Sequence, residues 1–420
     1  MRAPLRMRQI ALLVATATAL GCDATKTAES TTPDTNTYLH AKAVSAGWNH
    51  SCALDIDGAA WCWGHDRNGE LGVDTTTLAP RAITSDRPKR VAGGMRFTAI
   101  AAGEGFTCAL TATGAAYCWG TNRDFQLGNA AALGGGCSSP CSTTPVLVAG
   151  GHQFRKLFVN STACGVTTSD ALYCWGRIGE AGVPGLSYTD SSTDPVQITA
   201  GSSDAGWDSM GSMVIHACGS TKERRAVCWG TNGFGALGSG DTVPVVAASP
   251  RLVATTTPLH GVVASEFGGC GLDDNGRAMC WGHGGLLGTD APTHQECLAA
   301  STQPTGVTAS CSAVPVAVAS PVSFTSLAGG AMTVCGLTAE GVVHCWGEIP
   351  VSTGTPGRAS TPVVVSAGVR FTSVSVFNSH MCGVGTDGLA YCWGYNQLGQ
   401  AGSQLGGYLF LPTPVQLRPL

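Results

Sequence analysis

The chain has 420 residues, 44% of them apolar and only 12% charged, with 58 glycines, 21 prolines and 19 cysteines. That balance excludes a disordered chain, and so much glycine and proline excludes long helices in favour of short strands and tight turns. A formal charge of −4 lacks the basic excess of a nucleic-acid binder, and no apolar run reaches the length of a membrane-spanning helix.

The first element in chain order is an address. Arg2, Arg6 and Arg8 precede an apolar run from Ile10 to Leu20, the form of a secretory leader. The run ends in Ala19-Leu20-Gly21-Cys22, which resembles the lipobox of bacterial lipoproteins, although the leucine stands two rather than three residues before the cysteine. The resemblance implies that residues 1–21 are removed and that Cys22 carries a lipid, placing the protein in a bacterial cell envelope. Secretion without a lipid is the alternative. Residues 22–39 are mostly Thr, Ala, Ser, Pro, Asp and Asn and read as a flexible tether. Without the leader's three arginines the net charge becomes −7.

From residue 40 to 420 one unit recurs. Cys-Trp-Gly occurs seven times, beginning at Cys62, Cys118, Cys174, Cys228, Cys280, Cys345 and Cys392. Each copy has a partner cysteine ten residues earlier, at Cys52, Cys108, Cys164, Cys218, Cys270, Cys335 and Cys382. The spacing predicts a β-hairpin in which Cys52 faces Cys62 and Ala53 faces Trp61, with Gly58 in the left-handed position of the loop. Asp170 and Arg224 replace that glycine in the third and fourth copies, so those two turns are expected to differ. His50, His216 and His380, two residues before the first hairpin cysteine, read as loop braces. Apolar stretches such as Phe97–Ile100 supply a strand upstream. Downstream, a Gly-x-Leu-Gly turn is followed by a Pro-Val pair, as at Pro145-Val146, read as the start of a fourth strand. Four strands per unit and seven units describe an all-β, seven-bladed propeller. The terminal stretch Thr413–Leu417 reads as an orphan fourth strand that pairs into the first blade and closes the ring.

The unit His50-Ser-Cys-Ala-Leu, then Asp57-Gly58, Trp63-Gly64 and Gly69-Glu-Leu-Gly72, resembles the repeat of the regulator-of-chromosome-condensation family. The resemblance covers roughly residues 40–418 and implies a seven-bladed propeller. The turn element is degraded in the third copy at Gly179–Gly182 and missing in the sixth at Glu348–Pro350. The cysteine pairs depart from the family's intracellular pattern.

Opposed cysteines behind a secretory leader predict seven cross-strand disulfides: 52–62, 108–118, 164–174, 218–228, 270–280, 335–345 and 382–392. Buried thiols and zinc are the alternatives, and nine intervening residues do not suit a zinc site. Cys137 with Cys141 and Cys297 with Cys311 are the simplest further pairs, in insertions at Asn129–Thr144 and Thr289–Ser312. No nucleophile elbow, phosphate loop or dinucleotide fingerprint is present, so no catalytic residue and no cofactor is assigned. His283, His294 and Glu296 are the one grouping that suggests a metal, against the reading that no metal is held.

The functional expectation is a non-catalytic, monomeric scaffold, stiffened by disulfides, that binds a protein or glycan partner through its insertions and no nucleic acid. The alternative is a polysaccharide lyase or hydrolase using the propeller channel. Guanine-nucleotide exchange, which the family resemblance suggests, comes last because the leader removes the chain from the cytosol.

Overall fold

Each Cys-x9-Cys unit is a β-hairpin in the computed structural model of the chain. Cys52 lies opposite Cys62, Ala53 opposite Trp61 and Leu54 opposite Ala60, and the same register holds in the other six copies. The structure describes residues 37–73, 84–130, 137, 140–179, 190–199, 206–212, 215–243, 245–290, 295–299, 308–350, 356–377, 380–403 and 406–417. The two cysteines of every hairpin are bonded, with Cα atoms 4.0–4.1 Å apart, as directly opposed strand residues require.

An inner strand from upstream and an outer strand from downstream complete each blade. In the first blade these are Ala41–Ala46 and Thr84–Arg90, and in the second Ala99–Ala102 and Cys141–Leu147. Seven such sheets follow in chain order as a propeller ring. The fifth has an additional strand, Gln295–Leu298, outside its Thr308–Ala317 strand. The small residue after the first cysteine makes room for an aromatic ring. A Cβ on Gly165, Gly336 or Gly383 would stand 2.4–2.5 Å from Phe154, Phe324 or Phe371.

Three expectations are corrected. The C-terminal strand, Tyr408–Pro414, is the outer strand of the seventh blade, with Thr413 opposite Cys392. The first blade has no vacancy, because consecutive residues already supply its four strands. The segment before Ala41 reaches across instead, as Leu39 N–H donates to Val415 O and Ala390 N–H to Leu39 O.

The Pro-Val pair does not open the outer strand but lies near its end, after a register shift. Gly120 faces Ser142 while Cys118 faces Val146, so Pro145 falls in a bulge opposite Trp119. Pro88, Pro195, Pro315 and Pro362 fall in the equivalent bulges. A bulge on an outer strand is where a residue without an N–H costs least.

The third- and fourth-copy hairpin turns keep the common backbone. Asp170 and Arg224 adopt φ of +67° and +59° where Gly58 has +85°. An unfavourable conformation for a side chain is accepted at both places. Each residue forms an ion pair with a neighbouring blade, Asp170 with Lys222 and Arg224 with Asp274.

Neighbouring blades are joined by the Cys-Trp-Gly tryptophan. Trp119 Nε1–H donates to Glu70 O at 2.9 Å, the carbonyl of the preceding blade's Gly-x-Leu-Gly turn. Trp175, Trp281 and Trp346 do the same to Gln126, Ala236 and Leu286. Trp63 donates to Gln400 O of the seventh blade, so the ring closes by the device used within it. The last glycine of the turn is required: a Cβ on Gly72 would sit 2.8 Å from Trp119 Nε1, and Gly72 has φ of +66°. An apolar cluster fills each interface, such as Leu71, Val91 and Phe97 against Trp119.

Candidate binding face

One face of the ring carries the turns from inner to second strand and from third to outer strand. The other carries the hairpin tips and the passages between blades. Both insertions join a third strand to an outer strand, so both spring from the first face.

His50, His216 and His380 lie on this face but are not exposed to it. They are buried and brace neighbouring blades: His50 Nε2 with Thr107 Oγ1 at 2.8 Å, His216 Nε2 with Gly268 O at 3.0 Å, His380 Nε2 with Ser51 Oγ at 2.8 Å. Burial lowers the first two to a pKa of about 4 and His380 to about 3. They are neutral structural groups at physiological pH.

Cys22 lies outside the described residues. Cys137 is bonded to Cys141, and Cys297 to Cys311. In the fifth blade Cys297, Ala299 and Cys311 pack on Phe234 of the fourth, which fastens the root of that insertion to its neighbour. His283 also stands edge-on to Phe234, and its Nδ1 accepts from Gly285 N–H. Glu296 is exposed, and His294 is not among the described residues. No group of three His, Cys, Asp or Glu side chains is placed to hold a metal among the described residues.

The channel wall is built from the inner strands of all seven blades, including Val44, Ile100, Leu157, Met210, Val263, Ala328 and Val374. None of the described residues lining that cavity is titratable.

The titratable groups gather elsewhere on the same face, in a recess of about 450 Å³ between the first three blades. Its construction follows from the turns. Asp66 Oδ1 accepts from Leu71 N–H, and Asn122 Oδ1 from Leu127 N–H, which pins each third-to-outer turn in one shape. The residue after the pin is thrown out to the rim as Arg67 in the first blade and Arg123 in the second. Arg177 of the third blade crosses to Asp124 of the second at 3.0 Å.

Glu70 is a brace within this recess. It is 1% exposed and accepts from Asn68 N–H at 2.7 Å and Asn68 Nδ2–H at 3.0 Å, with His65 Nδ1 at 3.0 Å. Burial alone would raise its carboxyl, but the His65 hydrogen bond, reinforced by neighbouring groups, holds it below the ordinary range. Glu104 is different: burial raises its carboxyl, Arg177 opposes this and Asp124 adds to it. Ser161 is 3% exposed and lines the recess, and its hydroxyl has no hydrogen-bond partner among the described residues.

The sequence reading missed this recess. Its one legible trace is arginine at the fifth residue after the second hairpin cysteine in the first two copies, where the fourth and seventh have Gly233 and Gln397.

Comparison with known proteins agrees with the repeat. Two profiles of the regulator of chromosome condensation (RCC1) repeat match the chain, one at residues 41–70 and 97–126, the other at 57–110. The human E3 ubiquitin-protein ligase HERC2 is 26% identical over 253 residues, 55% of this chain and 5% of that protein. The Arabidopsis thaliana ultraviolet-B receptor UVR8 is 27% identical over 221 residues, 49% of this chain and 44% of the receptor. The chain thus matches less than half the length of either relative. Among solved structures, yeast RCC1 (Prp20) bound to Kap60 superposes with a TM-score of 0.70 at 18% identity, over 87% of this chain and 85% of that one. Human WBSCR16 gives 0.68 at 17% identity, over 85% and 94%. At these identities the likeness shows the fold. By its repeat unit and its seven-bladed ring, the chain is an RCC1-type β-propeller.

Proposed function

We propose that the protein is an extracytoplasmic binding scaffold, held to a bacterial envelope through a lipid on Cys22 or secreted, and that it engages a protein partner with the recess-bearing face. The observation that carries this reading is the recess itself. It gathers three arginines, three carboxyl groups and a buried hydroxyl on the face from which both insertions spring; among the described residues that hydroxyl has no partner and the channel lining no titratable group. Disulfides in every blade suit the oxidising compartment that the leader implies. A rigid ring loses little entropy on binding, which favours a scaffold role.

A photo-crosslinking residue placed at Arg67 or Arg123, and separately at Ile56 on the opposite face, tests the reading in envelope fractions. One crosslinked protein, captured from the recess positions and not from Ile56, is expected. Equal capture from both faces overturns it. The anchor is tested by metabolic labelling with a lipid precursor: label on the wild type and none on Cys22→Ser is expected, and an unlabelled wild type overturns the lipid.

A further inference from the structure

We propose that the recess between the first three blades is an acid-recognition site, which takes a carboxylate side chain from an acidic peptide segment of the partner between Arg67 and Arg123. This rests on the reading of the face given above and names the chemistry of what it binds.

The charges in the recess sort into spent and unspent. Arg177 is paired with Asp124, and His65 and Asn68 occupy the oxygens of Glu70. Arg67 and Arg123 are exposed at equivalent places on adjacent blades, and neither has a carboxylate partner among the described residues. A guanidinium offers a planar fork of N–H donors that matches a carboxylate in two parallel bonds, so two unspent guanidiniums on one rim select for that group.

The buried Ser161 hydroxyl is a second and independent sign of a ligand. A buried polar group without a partner costs stability, and such groups are tolerated where something else completes them. Glu104 also lines the recess; burial raises its carboxyl, and Arg177, which opposes that rise, is its neighbour of opposite charge.

The lining favours a peptide over a sugar chain. Asn49, Asn68, Gln126 and Thr121 offer amides and a hydroxyl suited to a peptide backbone. The one indole or phenyl ring among the lining residues, Trp48, is half-buried and packs edge-on to Phe377 at 6.0 Å.

The test uses the full chain with a dye-labelled hexaglutamate peptide, followed by fluorescence anisotropy. Hexaglutamine and hexagalacturonate are run in parallel. The expected result is salt-sensitive binding of hexaglutamate, none of hexaglutamine, and a loss of about tenfold in Arg67→Ala and in Arg123→Ala. The double variant is expected to lose more. Arg90→Ala, which removes an exposed charge from the outer strand of the first blade, controls for general attraction and should bind as wild type. Near-ultraviolet circular dichroism checks that each variant is folded.

Hexaglutamate that fails to bind, or that binds wild type and the double variant alike, overturns the proposal. Tighter binding of hexagalacturonate through the same arginines overturns the peptide as the ligand. These outcomes are separate from the crosslinking result: a partner captured from the other face would sink the functional reading while leaving hexaglutamate binding in place.

Discussion

The interface between the first and second blades and that between the third and fourth are built from the same repeat yet held differently. At the first, Trp119 N–H meets Glu70 O and His50 meets Thr107, both inside the core. At the second, the accepting blade carries the degraded third copy of the turn, and the buried Trp229 indole N–H has no acceptor among the described residues. Ion pairs at the opposite rim cross this interface: Lys222 with Asp170, and Lys156 with Asp208. Lys222 holds the Asp170 carboxyl below its usual range, with Arg155 adding to it. The interface between the sixth and seventh blades is similar: the sixth copy lacks the turn motif, and the Trp393 N–H is without an acceptor among the described residues. Among the described residues, Trp229 and Trp393 thus lack the bond that Trp119 makes. Exposed ion pairs restore little of what a buried bond contributes.

Breaking what the two interfaces share should have the largest effect. Each blade disulfide closes a loop of about ten residues, worth about 2–3 kcal/mol by loop entropy. Full reduction of all seven is expected to unfold the ring, with hydrogen exchange appearing first at the third–fourth and sixth–seventh interfaces. Uniform exchange around the ring would contradict the division drawn above.

Acid should attack the buried-bond interfaces. The folded His50, His216 and His380 protonate only near pH 4, 4 and 3, against 6.5 for a free histidine. Between those values the unfolded chain binds protons that the folded chain refuses. Stability is thus full above pH 6.5 and falls as pH drops toward 4, by on the order of a few kcal/mol per histidine. Melting curves from pH 7.5 to 4 should show this decline, and a flat profile would oppose it.

Single substitutions sharpen the contrast. Trp119→Phe and Trp229→Phe remove similar packing, but only the first breaks a hydrogen bond, so Trp119→Phe should cost about 1–3 kcal/mol more in denaturant unfolding. Equal costs would mean that the N–H bond contributes nothing. The smallest effect concerns the recess. Glu104→Gln removes an ionisable carboxyl from the recess and should strengthen hexaglutamate binding by a few-fold at neutral pH, read by anisotropy. Weaker binding would give Glu104 a contact with the ligand.

Legibility followed the range of the interaction. The hairpin register, the seven blade disulfides and the sevenfold count rest on residues ten apart that face each other across one turn, so spacing alone reveals them. The degraded turns of the third and sixth copies were legible too, but not that Trp229 and Trp393, in the blades that follow, lack an acceptor among the described residues. The proline bulge was misread since Pro145 looks like a strand opening until Ser142 is seen paired with Gly120.

What the sequence by itself determined is the repeat: strand, hairpin, pinned turn and outer strand, each fixed by neighbours in the chain. Only the tertiary structure decided how the ring closes and where function gathers. Trp63 meets Gln400 across 337 residues, and Arg67, Arg123 and Arg177 share one recess because three blades stand side by side. Such proximities depend on how successive sheets pack face to face, a property of the assembled ring that no local pattern of residues encodes.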